Sequence, residues 1–165
     1  MSLNQTLIAE LKQESANTRK MLERVPIEKN EWTPHAKSMK LGRLATHIAE
    51  VPGWITMMLT TPELDLAAGT MKSTVAATHE ELLAIFDSKL EGAITALENA
   101  SAEDFEKSWI LMMGEHVIYD LPRAAFIRTL GYSHLIHHRG QLSVYLRLLD
   151  VPVPGVYGPT ADDAR

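Results

Sequence analysis

Four stretches of this chain repeat apolar residues at the spacing of a helix face, with proline or small polar residues between them. A period near 3.6 commits each stretch to bury one face against a neighbour. The first runs from about Asn4 to Arg24. Leu3, Leu7, Leu11, Met21 and Val25 form its stripe beside Ile8 and Leu22, and Pro26 ends it. The second runs from about Met39 to Thr60 with Ser38 as N-cap, and buries Leu41, Leu44, Ile48, Val51, Ile55 and Met58. Pro52 inside it removes one hydrogen bond, so this helix is kinked or split in two. The third opens on Thr78-His79-Glu80-Glu81, which fits a capping box, and continues to about Asn99. The fourth runs from about Pro122 to Leu149.

The connections carry information too. TTPELDLAAGTMKSTVAA is long for a link between helices and suits a crossover along a bundle. SWILMMGEHVIYD has two short β-prone runs around Gly114 and predicts a small hairpin. The tail DVPVPGVYGPTADDAR holds three prolines and cannot be helical; Val153, Val156 and Tyr157 predict that it packs. The expected fold is all-α: a four-helix bundle with a long crossover between helices two and three and a small hairpin before helix four. Residues 1–165 are expected to form a single domain.

Composition removes several classes of function. A net charge of −5 argues against a nucleic-acid binder held by phosphate contacts. The absence of cysteine excludes disulfides, thiolate metal sites and a cysteine nucleophile. No run of about 18 apolar residues is present, so no membrane span is expected. The opening MSLNQTLIAELKQESANTRK has no basic head followed by an apolar run, so residence in the cytoplasm is expected.

Histidine is the residue type that stands out. There are seven, and three fall in HLIHHRGQL on the fourth helix. On a regular helical wheel with His134 at zero, Leu130 and Leu148 lie near about −40°, Ile127 and Tyr145 near about +20°, and Leu142 near about +80°. Phe126 and Val144 lie near about −80°. This arc is expected to be buried, with His134 near its centre, His138 at about +40°, and His137 nearer its edge at about −60°. Arg128, Arg139 and Arg147 fall on the opposite side.

Two imidazoles four residues apart on an apolar face can reach one ion. A divalent cation would satisfy ring nitrogens that are otherwise costly to bury. The alternative is that the rings bond water, Gln141 or facing polar groups. A third ligand should come from another helix, and His47, flanking the apolar arc of helix two, is the leading candidate. His35, His79 and His116 are expected to be exposed. Three neutral imidazoles leave coordination positions open, the pattern of a catalytic site. Gln141 and Glu50 are candidate supports for the rings. Tyr145 is a candidate acid–base group or a core aromatic. Imidazole ligands suit zinc, nickel, copper or iron. No Glu-x-x-His, His-Glu-x-x-His, phosphate-binding glycine loop or nucleophile elbow is present.

The segment HLIHHRGQLSVYLRLLDVPVPGVYGP, with its HxxxHRGQL core, resembles the DinB family, also called DinB/YfiT-like metalloenzymes. TRKMLERVP and WTPHAKSMKLGRLATHIAEVPGW agree with it, so the resemblance spans nearly the whole chain. It implies a four-helix bundle and a divalent metal site made by His47, His134 and His138, with nickel or zinc as the usual metal. It implies a small-molecule substrate, and the known activities in the family point to a low-molecular-weight thiol, in transferases and a mycothiol-dependent isomerase. It also implies a homodimer. Three functions then compete: a metal-dependent enzyme, a ligand-binding or sensor protein without turnover, and a bundle whose metal is structural.

Overall fold

The computed structural model describes residues 2–70 and 73–163. Helix α1 (Leu3–Leu22) opens on a complete capping box. Ser2 Oγ accepts from the Gln5 backbone N–H, and Gln5 Oε1 accepts from the Ser2 N–H at 3.0 Å. The second predicted helix is split: α2 (Leu41–Glu50) and α3 (Pro52–Thr60) meet at Val51, which keeps right-handed helical angles. Proline is tolerated there because the first turn of α3 has free N–H groups anyway. Helix α4 (His79–Asn99) is capped by Thr78, whose hydroxyl accepts from the Glu81 N–H at 3.1 Å. The other half of the predicted box does not form, because the Glu81 carboxylate accepts from Ala77 N–H instead. A short α5 (Ala102–Glu106), with its own Ser101–Asp104 capping box, was not foreseen.

The all-α expectation is corrected by a three-stranded mixed sheet. The predicted hairpin exists as β2 (Ser108–Met113) and β3 (His116–Pro122), paired antiparallel. Gly114 makes the turn with φ +59°, a left-handed angle that suits glycine. The long connection supplies the third strand, β1 (Glu63–Asp65), which pairs parallel to β2 with Leu64 opposite Leu111. Asp65 joins the pieces, as its Oδ1 accepts from Ala67 N–H and Gly114 N–H, each at 2.8 Å. Three residues are too few to display alternation, so β1 left no periodic signal. Met71 and Lys72, also in that connection, lie outside the described residues.

The fourth predicted helix is not a regular helix throughout. After α6 (Arg123–Phe126), residues Ile127–Ser133 form a π-helix, and α7 (His134–Leu148) follows. Each π-turn holds more residues than an α-turn, so it rotates the chain less per residue. A wheel drawn with one period across both parts is therefore out of phase. In α7 the buried residues are Leu135, His138, Arg139, Leu142, Tyr145 and Leu146, while Val144 and Leu148, expected inside, are exposed. The buried arc is centred to one side of His134, which places His134 and His138 at its margin.

Helix α4 packs against α1, α2 and α3, and α7 packs against α1 and α2. One apolar cluster gathers Leu22, Leu44, Ile48, Phe86, Leu142 and Leu146. A second gathers Leu11, Ile55, Leu97, Trp109, Phe126 and Tyr132. Gly131 in the π-helix lies so close to Ile55 that an added Cβ would meet its Cγ1 at 2.9 Å. The tail packs as expected, with Val153 buried and Val153 N–H donating to Asp162 at 2.8 Å. Among the described residues no helix is long and apolar enough to cross a membrane.

Arg139, expected in solvent, is 3% exposed. Its guanidinium donates to the Glu14 carboxylate at 2.6 Å, to the Glu14 carbonyl at 2.9 Å and to Thr18 Oγ1 at 3.1 Å. The Tyr157 hydroxyl donates to the same carboxylate at 2.6 Å, and the Tyr157 ring lies under the guanidinium. One ion pair thus ties α1, α7 and the tail together. Removing one partner leaves the other charge buried and unpaired. The Glu14→Ala variant should lose about 3–5 kcal/mol of unfolding free energy in urea. Replacing Glu14 and Arg139 together by methionine should recover most of it. A loss below about 1 kcal/mol, the value of an exposed pair, would contradict this role.

Candidate metal centre

Helix α2 carries His47 and the start of α7 carries His134, with His138 one turn further on. The packing of α2 on α7 brings them together across 87 residues of sequence. His47 Nε2 and His134 Nε2 are 2.9 Å apart. Ring centroids are 4.6 Å apart for His47–His138 and 4.3 Å for His134–His138. One ring nitrogen from each of the three lies within 4.8 Å of the others, so the three could hold a metal ion. His138 is buried and His137 is exposed, which matches the expected inward choice between these neighbours. Among the described residues no carboxylate joins the group.

A hydrogen bond from outside the cluster orients one of the rings. His138 Nδ1 lies 2.7 Å from Gln141 Oε1, an acceptor, so Nδ1 carries the proton. The Nε2 lone pair of His138 is then free for a cation, the arrangement metal-bound histidines use. On the other side Arg43 Nη2 makes a long 3.4 Å contact with His47 Nδ1. A guanidinium only donates, so without an ion the His47 proton sits on Nε2, bonded to His134 Nε2 at 2.9 Å, and an ion at Nε2 would displace it. Glu50 makes no hydrogen bond to His47. It accepts from Arg43 at 2.7 Å and from Thr74 Oγ1 at 2.9 Å, while Arg43 donates to the Thr74 carbonyl at 2.7 Å. These bonds fasten the connecting loop to α2 beside the site. Tyr145 is a core aromatic, its hydroxyl donating to the Met39 carbonyl at 3.0 Å. Of the remaining histidines, His79 departs from expectation, being half-buried with Nε2 3.1 Å from the Leu22 carbonyl.

Two tests bear on whether a divalent ion fits. Two nitrogens each about 2.1 Å from an ion sit about 3.0 Å apart at the right angle of an octahedral shell and about 3.4 Å apart at the tetrahedral angle. The 2.9 Å between His47 and His134 suits the former and would open slightly for the latter. The protonation state also fits. Burial, reinforced by His138, His134 and Arg43, pushes the His47 imidazole down to about 3. Burial, with His138 and His137 adding to it, lowers His134 to about 4. His138 is lowered by burial as well, partly offset by its bond to Gln141. All three rings are neutral at pH 7, and a metal needs neutral imidazoles.

Trp54 is the site residue that the sequence reading missed. Its ring stands edge-on to His47 at 5.4 Å and tilted against His134 at 5.0 Å. Its position seven residues after His47, two turns along the same face, was the available signal. An open cleft of about 560 Å³ lies beside His47, lined by Arg43, Glu50, Trp54, Met57 and Lys89 among others. Gly53 leaves room for the Lys89 stem, since a Cβ there would meet Lys89 Cδ at 2.7 Å.

The chain is similar to known proteins along most of its length. The curated protein YrdA of Bacillus subtilis (strain 168), described as uncharacterized, is 26% identical over 154 residues, covering 91% of this chain and 85% of YrdA. A DinB-like protein from Bacillus cereus ATCC 10987 superposes with a TM-score of 0.71 at 22% identity, covering 92% of this chain and 95% of that one. A second DinB-like protein, YjoA from Bacillus subtilis, gives a TM-score of 0.68 at 17% identity, covering 89% and 96%. These two likenesses bear on the fold. The model of the DinB family matches residues 1–165, and the chain belongs to that family.

Proposed function

We propose that this protein is a divalent-metal-dependent enzyme whose ion is held by His47, His134 and His138, and which acts on a small molecule. The observation that carries this reading is the convergence of three neutral imidazole nitrogens, with no fourth protein ligand among the described residues, beside an open cleft. Three protein ligands and open positions mark catalytic rather than structural metal sites. The donor set suits nickel or zinc. A bound ion would supply Lewis-acid chemistry and lower the pKa of a thiol or water toward neutrality. A thiol-dependent transfer is the reaction we favour, on the family resemblance.

The chain's own residues have definite tasks in this scheme. Gln141 holds His138 with Nε2 toward the centre. Arg43 lies against His47, and Glu50 and Thr74 hold Arg43 in turn. Trp54 packs against the rings of His47 and His134. We read the long helices as a four-helix bundle forming one domain, with α2 and α7 facing each other across the site.

The reading is tested by metal analysis of untagged protein, followed by thiol-transfer assays on the nickel- and zinc-loaded forms. His134→Ala should abolish metal binding and transfer while the chain still unfolds cooperatively. Its cost should be that of a cavity and some unsatisfied polar atoms, about 1–4 kcal/mol. Loss of cooperative folding in this variant and in chelated wild type would make the metal structural.

The neutral rings also make the metal-free chain sensitive to acid. Unfolded histidines titrate near 6.5, whereas folded His47 and His134 titrate near about 3 and about 4. Between those values the unfolded state binds protons that the folded state refuses, so stability falls as pH falls. The loss starts as pH drops through about 6.5 and levels off below the folded values. The melting temperature of metal-free protein should therefore fall from pH 7 to pH 5, and His47→Gln should flatten part of that slope. Equal slopes in both proteins would contradict the assignment.

A further inference from the structure

A second pocket lies against His134. It encloses about 210 Å³, and no polar surface lines it. Its walls include Trp54 and Met57 of α3, Leu64 of β1, Trp109 and Leu111 of β2, and Leu130 of the π-helix. The Trp109 indole N–H donates to Thr61 Oγ1 at 3.2 Å, so the one polar atom of that ring is already bonded. Trp54 and Met57 line this pocket and the open cleft alike.

We propose that this pocket receives the apolar side group of the molecule bound at the three-histidine centre. The ligand is then a molecule with a polar reacting head and a compact aromatic or branched hydrocarbon tail. The inference deepens the metal-centre reading and rests on it. Three observations carry it. First, water in such a pocket finds no hydrogen-bond partner, whereas a hydrocarbon loses nothing by entering. A cavity of about 150 Å³ lined by aliphatic and aromatic residues accepts benzene, so this one takes a phenyl ring with room for a linking methylene. Second, His134 lines the pocket through its carbon atoms, so a group seated there lies against the ring whose Nε2 meets His47. Third, its sheet wall continues outward. Leu64, Leu111 and Tyr119 lie in one row across the three strands, and Trp109 pairs with Leu121. Tyr119 and Leu121 are exposed and extend the apolar face to the surface at edge strand β3.

The sheet, which no helix-only fold would possess, is on this account the specificity element of the site. Each methylene a ligand buries there should tighten binding about fourfold. The test uses fluorobenzene, ethanethiol, phenylmethanethiol and naphthylmethanethiol as probes. Fluorobenzene is titrated into metal-free protein and followed by ¹⁹F NMR. The thiols are titrated into cobalt-loaded protein and followed by the cobalt visible spectrum. Fluorobenzene should saturate one site, and phenylmethanethiol should bind at least about tenfold more tightly than ethanethiol. Leu111→Trp fills the pocket and should abolish both effects while cobalt is retained. Leu111→Ala enlarges it and should move the preference toward naphthylmethanethiol, which gives a second reading if the tryptophan variant folds poorly. Absence of fluorobenzene binding, or a phenyl preference unchanged in both variants, would overturn the proposal. Failure of the underlying metal reading looks different: fluorobenzene saturates but no cobalt spectrum forms, and the link between pocket and centre is then lost.

Discussion

The contact between α2 and α7 is the interaction on which the rest of this structure depends. Two helices far apart in sequence must deliver three uncharged imidazoles to one point, within 4.8 Å of one another. Rings buried this way are costly unless each nitrogen has a purpose. Gln141 occupies one nitrogen of His138, Arg43 lies against one nitrogen of His47, and the inner nitrogens of His47 and His134 meet at 2.9 Å. Small rotations of either helix would undo this. The Glu14–Arg139 ion pair opposes such rotation, because it locks α7 to α1 one residue after His138.

The same contact explains the irregular backbone on both sides of it. The break at Pro52 sets α3 off from α2 directly after the His47 turn, and α3 carries Trp54 to the rings. The π-helix just before His134 changes the phase of the chain. Residues upstream, such as Phe126 and Ile127, can then face the second apolar cluster while those of α7 face the first. Without that change, burying Phe126 and burying Leu142 would demand different rotations of one regular helix.

Much of the site was legible in the sequence. The spacing of His134 and His138 on one helical face, and the position of His47 beside the apolar stripe of another, are local facts that periodicity reports. So were the cap at Thr78, the break at Pro52 and the hairpin at Gly114. What was hidden depends on long-range packing. Arg139 read as solvent-facing because nothing near it in sequence announces Glu14, 125 residues away. The arc containing Val144 and Leu148 was misplaced because a π-turn has no strong residue signature. Strand β1 is defined by its partner β2 rather than by its own three residues. The apolar pocket is assembled from α3, two strands and the π-helix, so no single stretch contains its pattern.

The central claim is that these three histidines jointly bind one divalent ion, and X-ray absorption at the metal edge tests it most directly. Protein loaded with one equivalent of zinc or nickel should show three imidazole nitrogens at about 2.0–2.2 Å, with the multiple scattering of intact rings. The His47→Ala protein, given the same metal, should lose one imidazole from that count. An all-oxygen shell, or a spectrum that His47→Ala leaves unchanged, would contradict the account.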